Sequence, residues 1–186
     1  MKNKALIWFG SPHKVGYTAQ MVNELANALS DDTEIFIYNC YEENPRPCID
    51  CGFCKQQEGC SSSDLDGLYA ALEESNILII ASPVYNMGFP SPLKAVIDRM
   101  QRYYNARFSL GKKPPIPAAK RAYLLLTAGS GEGVSFCIIH QQLEQMFTIL
   151  NAKLKKTVLL SSTDENPALE QALEKIYDIA KDINQS

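Results

Sequence analysis

The strongest constraint on this chain is an alternation along its length. Short apolar runs at Ala5–Phe9, Glu34–Tyr38, Ile77–Ser82, Ala122–Thr127 and Thr157–Leu160 are separated by longer segments of helical period. In 18–29, Met21, Leu25 and Leu29 recur on one face, and in 64–74, Leu65, Leu68 and Leu72 do the same. Pro92 suits the first turn of a third helix running to about Arg102, and 133–150 and 167–183 supply two more. Strand-sized runs alternating with helices specify a parallel sheet covered on both faces. Five such units joined by right-handed crossovers predict a three-layer, doubly wound α/β sheet of order 2-1-3-4-5. Ligands of such sheets bind outside the carboxyl ends of the strands, so the loops after the first, third and fourth strands are the ones to read for chemistry.

At 186 residues the chain is sized for one domain, 1–186, with a cysteine-rich loop at about 40–63. Folding at this length buries roughly 70% of the surface that the unfolded chain exposes, so the core needs no disulfide or metal to stand. Eighteen Lys and Arg against 21 Asp and Glu leave a net charge of -3, and the basic residues are dispersed, which argues against nucleic acid as a partner. The opening segment is too short for a signal-peptide core, and the longest apolar run elsewhere, 77–81, is far below a membrane span. A cytoplasmic protein without membrane attachment is expected. In a reducing compartment, clustered cysteines are read first as metal ligands or redox groups.

After the first strand comes Gly10-Ser11-Pro12-His13-Lys14-Val15-Gly16-Tyr17-Thr18, a small, hydroxyl-rich turn that opens a helix. It lacks both the Gly-Lys-Ser/Thr of nucleotide hydrolases and the Gly-x-Gly-x-x-Gly of dinucleotide sites. The phosphate of a mononucleotide suits it, on the helix N-terminus and the hydroxyls of Ser11 and Thr18. An ordinary turn with Thr18 as N-cap is the alternative. The loop after the third strand, 82–92, carries Pro83, Val84, Tyr85, Asn86, Met87, Gly88 and Phe89. Apolar side chains at the open end of a buried strand are disfavoured unless something flat covers them, and an isoalloxazine ring would do so. Packing on a neighbouring loop or subunit is the alternative. Thr127, Ala128, Gly129 and Gly131 form the third loop, where close backbone approach to a ligand favours glycine.

With these residues in view, the sequence resembles the flavodoxin-like FMN reductases, and within them the iron-sulfur flavoproteins, from about Lys4 to Ser161. The resemblance is carried by Gly10-Ser11-Pro12 with Gly16 and Thr18, then by Ser82-Pro83-Val84-Tyr85 with Pro90, Leu93, Lys94, Ile97, Asp98 and Arg99. It implies a flavodoxin-like fold in which Ser11, His13, Tyr17 and Thr18 hold the FMN phosphate, 83–88 wrap the ring, and 127–131 close over it. His13 and Tyr17 stand where that family commonly has Arg and Asn.

The loop after the second strand holds Cys48, Cys51, Cys54 and Cys60, spaced C-x2-C-x2-C-x5-C. Three thiolates at such intervals can wrap one face of a cubane cluster, and a fourth after a longer excursion can reach the remaining iron. Gly52 and Gly59 allow the sharp turns. A zinc ion is disfavoured by the contiguous run, since structural zinc usually takes two separated pairs, and free or disulfide-forming thiols are the third alternative. The iron-sulfur flavoproteins are similar in carrying a compact run here that binds a 4Fe-4S cluster close to FMN. Cys40 and Cys137 are expected to be buried packing residues.

His140 is expected to be a core or surface histidine. Asp98 and Arg99 cannot pair along one helical face and are expected to meet neighbouring subunits. Lys153, Lys155 and Lys156 read as a solvated edge before the fifth strand, and 106–120 as a loop. The function expected is an FMN-dependent oxidoreductase taking electrons from NAD(P)H or a reduced redox protein and passing them to a small acceptor, in a homodimer or homotetramer. A non-enzymatic flavin electron carrier and a zinc-stabilised binding module with a vestigial flavin site are the alternatives. No catalytic residue is named, because hydride transfer to a flavin needs no general acid or base from the protein.

Overall fold

The computed structural model of the chain describes residues 2–129 and 133–185. Five strands, β1 (Lys4–Phe9), β2 (Glu34–Asn39), β3 (Ile77–Pro83), β4 (Lys120–Thr127) and β5 (Ala152–Leu160), form one parallel sheet of order β2-β1-β3-β4-β5. Around it lie α1 (Tyr17–Ala28), α2 (Cys40–Glu43), α3 (Phe53–Gln56), α4 (Asp66–Glu74), α5 (Ser91–Arg99), α6 (Gln101–Phe108), α7 (Gly133–Ile149) and α8 (Leu169–Asn184). The flavodoxin-like order expected from the alternation is the one found.

The central strands are apolar on both faces because both faces are covered. Leu6, Trp8, Leu78, Ile80, Leu124 and Leu126 pack with Leu68 and Leu72 of α4, Leu93 and Val96 of α5, and Ile139 and Leu143 of α7. On the opposite face Ala5, Ile7, Ile77, Ile79, Tyr123 and Leu125 pack with Met21 and Leu25 of α1 and with Ile176, Ile179 and Ile183 of α8. Each such aliphatic side chain contributes roughly 1.5–3 kcal/mol by leaving water. This double core sets the five carboxyl ends in one row, with β1 and β3 adjacent at its middle.

Two boundaries differ by more than two residues from the sequence expectation. The fifth strand begins at Ala152 rather than at Thr157. Ala122 pairs with Leu154 and Tyr123 with Lys156, so Lys155 is an extra residue in a bulge, and Lys153, Lys155 and Lys156 are exposed along the sheet edge. Charged side chains and a bulge on an edge strand discourage pairing with another chain. The third predicted helix divides at Met100, and its second half continues to Phe108, so residues 106–108 are helical and not loop. No helix among the described residues is long and apolar enough to cross a membrane.

At the opposite end of the sheet from the loops of interest, Lys120 is 3% exposed and its ammonium donates to the Ser75 carbonyl at 2.7 Å, just past the C-terminus of α4. Burial lowers its pKa to about 8, and Glu73 opposes that only in part. Below pH 8 the lysine is charged in both states, and its desolvation cost is fully present. Between pH 8 and its ordinary 10.5 the folded state has lost the proton that the unfolded state still binds, so stability rises with pH there. The unfolding free energy of the wild type minus that of Lys120→Met is expected to climb by roughly 3 kcal/mol over this window, as measured by urea denaturation at stepped pH.

Candidate functional site

The turn after β1 delivers Ser11, His13 and Gly16 to the carboxyl edge, and α1 begins there. Its N-cap is Gly16, in extended conformation and with no side-chain cap, so the first-turn N–H groups face the loop region without a side-chain acceptor. Thr18 therefore lies within the first turn and is not the cap. Its hydroxyl is buried and bonds the Thr127 hydroxyl at 2.9 Å, tying the start of α1 to the end of β4. Ser11 is 4% exposed, and its hydroxyl accepts from the His13 N–H at 3.2 Å, shaping the turn. The next strand is locked to this one, because the Val84 N–H donates to the Thr127 carbonyl at 2.8 Å.

These pieces enclose a cavity of about 390 Å³, a size within the usual range for small-molecule sites. It is lined by Ser11, His13, Gly16, Tyr17, Thr18, Pro83, Val84, Tyr85, Thr127, Ala128 and Gly129, together with Thr163 and Asp164. Asn86, Met87 and Gly88 lie outside that lining, and Gly131 falls outside the described residues. An uncapped helix N-terminus beside three hydroxyls is the arrangement that binds a phosphate monoester.

Beyond the cavity, residues 85–88 form a tight turn. The Tyr85 N–H donates to the Gly88 carbonyl at 3.0 Å and the Gly88 N–H returns to the Tyr85 carbonyl at 2.9 Å. Asn86 and Met87 both have positive φ, at 50° and 61°. Two left-handed central residues are what a type I′ turn requires, and Met87 in that region is unusual. The conformational demand thus falls on Asn86 and Met87 rather than on Gly88. Tyr85 and Met87 are 41% and 48% exposed, as the sequence suggested, whereas Phe89 is buried at 8% and belongs to the core.

The four clustered cysteines share a second cavity, of about 520 Å³, lined also by Arg46, Arg99, Gln101 and Arg102. Among the described residues no group of three or more His, Cys, Asp and Glu side chains is gathered closely enough to hold a metal ion. The sulfurs nonetheless have polar partners. Cys51 Sγ lies 3.1 Å from the Ser61 hydroxyl, Asn105 Nδ2 donates to Cys54 Sγ at 3.1 Å, and an Arg99 Nη donates to Cys60 Sγ at 3.4 Å. The Ser61 hydroxyl lowers the Cys51 thiol pKa from its ordinary value. Left-handed backbone at Asp50, Gly52 and Gly59 turns the loop around these side chains. Cys40 is fully buried, and burial pushes its thiol up to about 12, as suits a packing residue. Cys137 is exposed, contrary to expectation, because it lies on the solvent side of α7.

Three assignments needed the structure. Arg99, expected to meet a neighbouring subunit, is 4% exposed and committed within the chain to the cysteine loop, while Asp98 pairs with Lys94 at 2.6 Å one turn earlier. Its sequence signal was spacing: Arg99 falls three residues after buried Val96, on the apolar stripe of α5. Asn105, equally buried, follows on α6. Asp164 sits over Gly129, with its carboxylate in the space that a Cβ at 129 would take, so any side chain there would have to push the Asp164 carboxylate aside. The run Ser161-Ser162-Thr163-Asp164 follows the fifth strand at the same sheet edge, and only the pairing of β5 beside β4 brings it to the cavity. His140 is half-buried and bonds the Thr157 hydroxyl at 3.2 Å, away from both cavities.

Comparison with known proteins agrees with this architecture. The family model described as NADPH-dependent FMN reductase matches residues 3–166. An iron-sulfur flavoprotein of Methanocaldococcus jannaschii is 33% identical over 92 residues, covering 48% of each chain. An FMN-dependent NADH:quinone oxidoreductase of Pelagibacter ubique is 39% identical over 66 residues, 34% of each. The chain spans about half the length of three iron-sulfur flavoproteins that it matches, 48% of one and 56% of the other two. The crystal structure of an FMN-dependent NADH-azoreductase of Bacillus anthracis in complex with FMN superposes with a TM-score of 0.71 at 16% identity, covering 98% of this chain and 100% of that one. At such identity the likeness concerns the fold.

Proposed function

Since this chain belongs to the NADPH-dependent FMN reductase family, we propose that it is an oxidoreductase that binds FMN in the carboxyl-edge cavity, accepts electrons from NAD(P)H, and passes them to a small acceptor of the quinone class. On the same reading Cys48, Cys51, Cys54 and Cys60 hold a 4Fe-4S cluster. The observation that carries the flavin assignment is the uncapped N-terminus of α1, with Ser11 and the Thr18–Thr127 hydroxyl pair at its mouth.

FMN, when bound, supplies both two-electron and one-electron chemistry. The residues of the chain bind and orient it. First-turn N–H groups of α1 and the hydroxyls of Ser11 and Thr18 would hold the phosphate, with His13 and Tyr17 at the rim. Pro83, Val84 and Tyr85 would flank the ring, and Tyr85 and Met87 would shield it from water. Because the N–H groups of Val84 and Tyr85 are already committed to Thr127 and Gly88, recognition of the ring's polar edge falls to the tip, Asn86 and Met87. Thr127, Ala128 and Gly129 line the other wall, with Gly131 assigned to the same loop. No side chain is given a proton-transfer role.

The donor set of the cysteine loop fits an iron-sulfur cluster: four thiols around one cavity, with Asn105 and Arg99 donating to two of the sulfurs. Donors to sulfur are among the means by which proteins set cluster potentials. The nucleotide donor and the cluster are tested together. Anaerobic addition of NADPH to FMN-loaded protein is expected to bleach the flavin absorbance, and iron and acid-labile sulfide are expected in equal amounts. A flavin that NADPH leaves coloured would turn the reading to an electron carrier fed by a redox protein, and zinc without iron would end the cluster assignment.

A further inference from the structure

Arg99 is a buried, multiply hydrogen-bonded charged side chain, and the flavin site does not use it. Its two terminal nitrogens make four hydrogen bonds, to Asp64 Oδ1 at 2.7 Å, the Arg46 carbonyl at 3.2 Å, the Ser62 carbonyl at 3.0 Å and Cys60 Sγ at 3.4 Å. Asp64 reaches the same segment from the other side. It accepts from the Arg46 N–H at 2.9 Å and from the Ser62 hydroxyl at 2.6 Å. One ion pair thereby fastens both ends of the cysteine run, near 46 and near 62, to α5. Burial alone would raise the Asp64 pKa, but the bonds from Ser62, Arg46 and Arg99 outweigh it and hold the carboxyl at about 2, so the pair stays ionised.

A guanidinium has five N–H donors, and the fifth here is unmet. Arg99 Nε is buried and has no hydrogen-bond partner among the described residues, although Arg99 lines the cysteine cavity. A buried cation with an unused donor is costly unless negative charge comes to it. The neighbouring wall carries sulfur ligands, and four thiolates around a 4Fe-4S core bear net negative charge. Arg102 does not compete for this place, because its guanidinium lies over the Tyr69 ring, 4.1 Å from the centroid, and pairs with Glu73.

We propose that Arg99, anchored by Asp64, is the positioning residue of the cysteine loop: it fixes Cys60 at the cavity wall and places a permanent positive charge that favours the reduced form of the bound cluster. The proposal rests on the cysteines being cluster ligands. An electron added to the cluster increases its negative charge, so removing the adjacent cation makes reduction harder, and removing the adjacent carboxylate makes it easier. A merely structural role predicts no such opposition of sign.

The test uses Arg99→Gln, Arg99→Lys and Asp64→Asn in the full chain, with two readouts. In metal-free, reduced protein, the rate of Cys60 alkylation by iodoacetamide, read by peptide mass spectrometry, is expected to rise several-fold in Asp64→Asn, which loosens the loop while the guanidinium that favours the thiolate is kept. In anaerobically reconstituted protein, the potential of the cluster is read by dye-poised titration with electron paramagnetic resonance. Arg99→Gln is expected to lower the reduced-to-oxidised ratio at fixed poise about tenfold, about 59 mV for one electron. Asp64→Asn is expected to raise it, and Arg99→Lys to stay near the wild type. Potentials that move together in Arg99→Gln and Asp64→Asn, or not at all, overturn the charge role. Unchanged Cys60 alkylation overturns the positioning role. Should Arg99→Gln not fold, Asp64→Asn decides, since a fall in its potential contradicts the proposal. Wild-type protein that takes up no iron overturns the cluster reading and the charge role with it, while alkylation still judges the hold on Cys60.

Discussion

Thr18→Asp is expected to lower FMN affinity by about 10³-fold or more while leaving riboflavin affinity nearly unchanged. The substitution is close in size, and a carboxylate in the first turn of α1 suits the helix dipole, which offsets part of the cost of placing a charge at this buried position. Aspartate can also accept from the Thr127 hydroxyl that now pairs with Thr18. What changes is charge at the mouth of the cavity. A phosphate monoester carries a charge of about -1.5 to -2 at neutral pH. A carboxylate about 4 Å from even one unit of that charge costs about 4 kcal/mol at the effective dielectric of such sites, and each 1.4 kcal/mol is about tenfold in affinity, so about 10³-fold is the least loss expected. Riboflavin lacks the phosphate and serves as the internal control. Equal losses for both ligands, measured by fluorescence titration, would place the phosphate elsewhere.

The second large effect separates two cysteines that composition alone cannot tell apart. Cys54→Ser is expected to remove nearly all iron and sulfide from anaerobically reconstituted protein while FMN binding persists, because its cavity is distinct from the one lined by Ser11 and Thr18. Cys40→Ser should keep its iron. Cys40 is buried in the core against the sheet, its thiol held neutral by burial, and serine there puts a hydroxyl in its place at roughly 1–3 kcal/mol of stability. Iron analysis and thermal denaturation of the two variants give opposite patterns. Iron retained by Cys54→Ser would remove Cys54 from the ligand set.

The strands and their order were legible because burial on both faces leaves an unbroken apolar run, as in Ile77–Ala81. The start of β5 was hidden for the complementary reason. An edge strand with a bulge at Lys155 breaks the period of two and presents lysines to solvent, so 152–156 reads as loop. The turn after β1 and the loop after β3 announced themselves by residue type. Thr163 and Asp164 did not, because that segment reaches the cavity only through the parallel pairing of β5 beside β4. Arg99 was the instructive case. Adjacent residues on a helix point about 100° apart, so Asp98 and Arg99 share a motif and not a surface, and only the fold shows that one meets Lys94 while the other holds Cys60. The four-residue helices α2 and α3 depend on tertiary support, since isolated helices of that length do not persist in water.

The proposed FMN site is at the carboxyl edge of the sheet, between the N-terminus of α1 and the loop after β3. Titration of flavin-free protein with FMN, followed by flavin fluorescence, measures it most directly. A fluorescence change is expected that saturates at one FMN per chain and is weakened by Thr18→Asp. Fluorescence that stays that of free FMN at every protein concentration would contradict it.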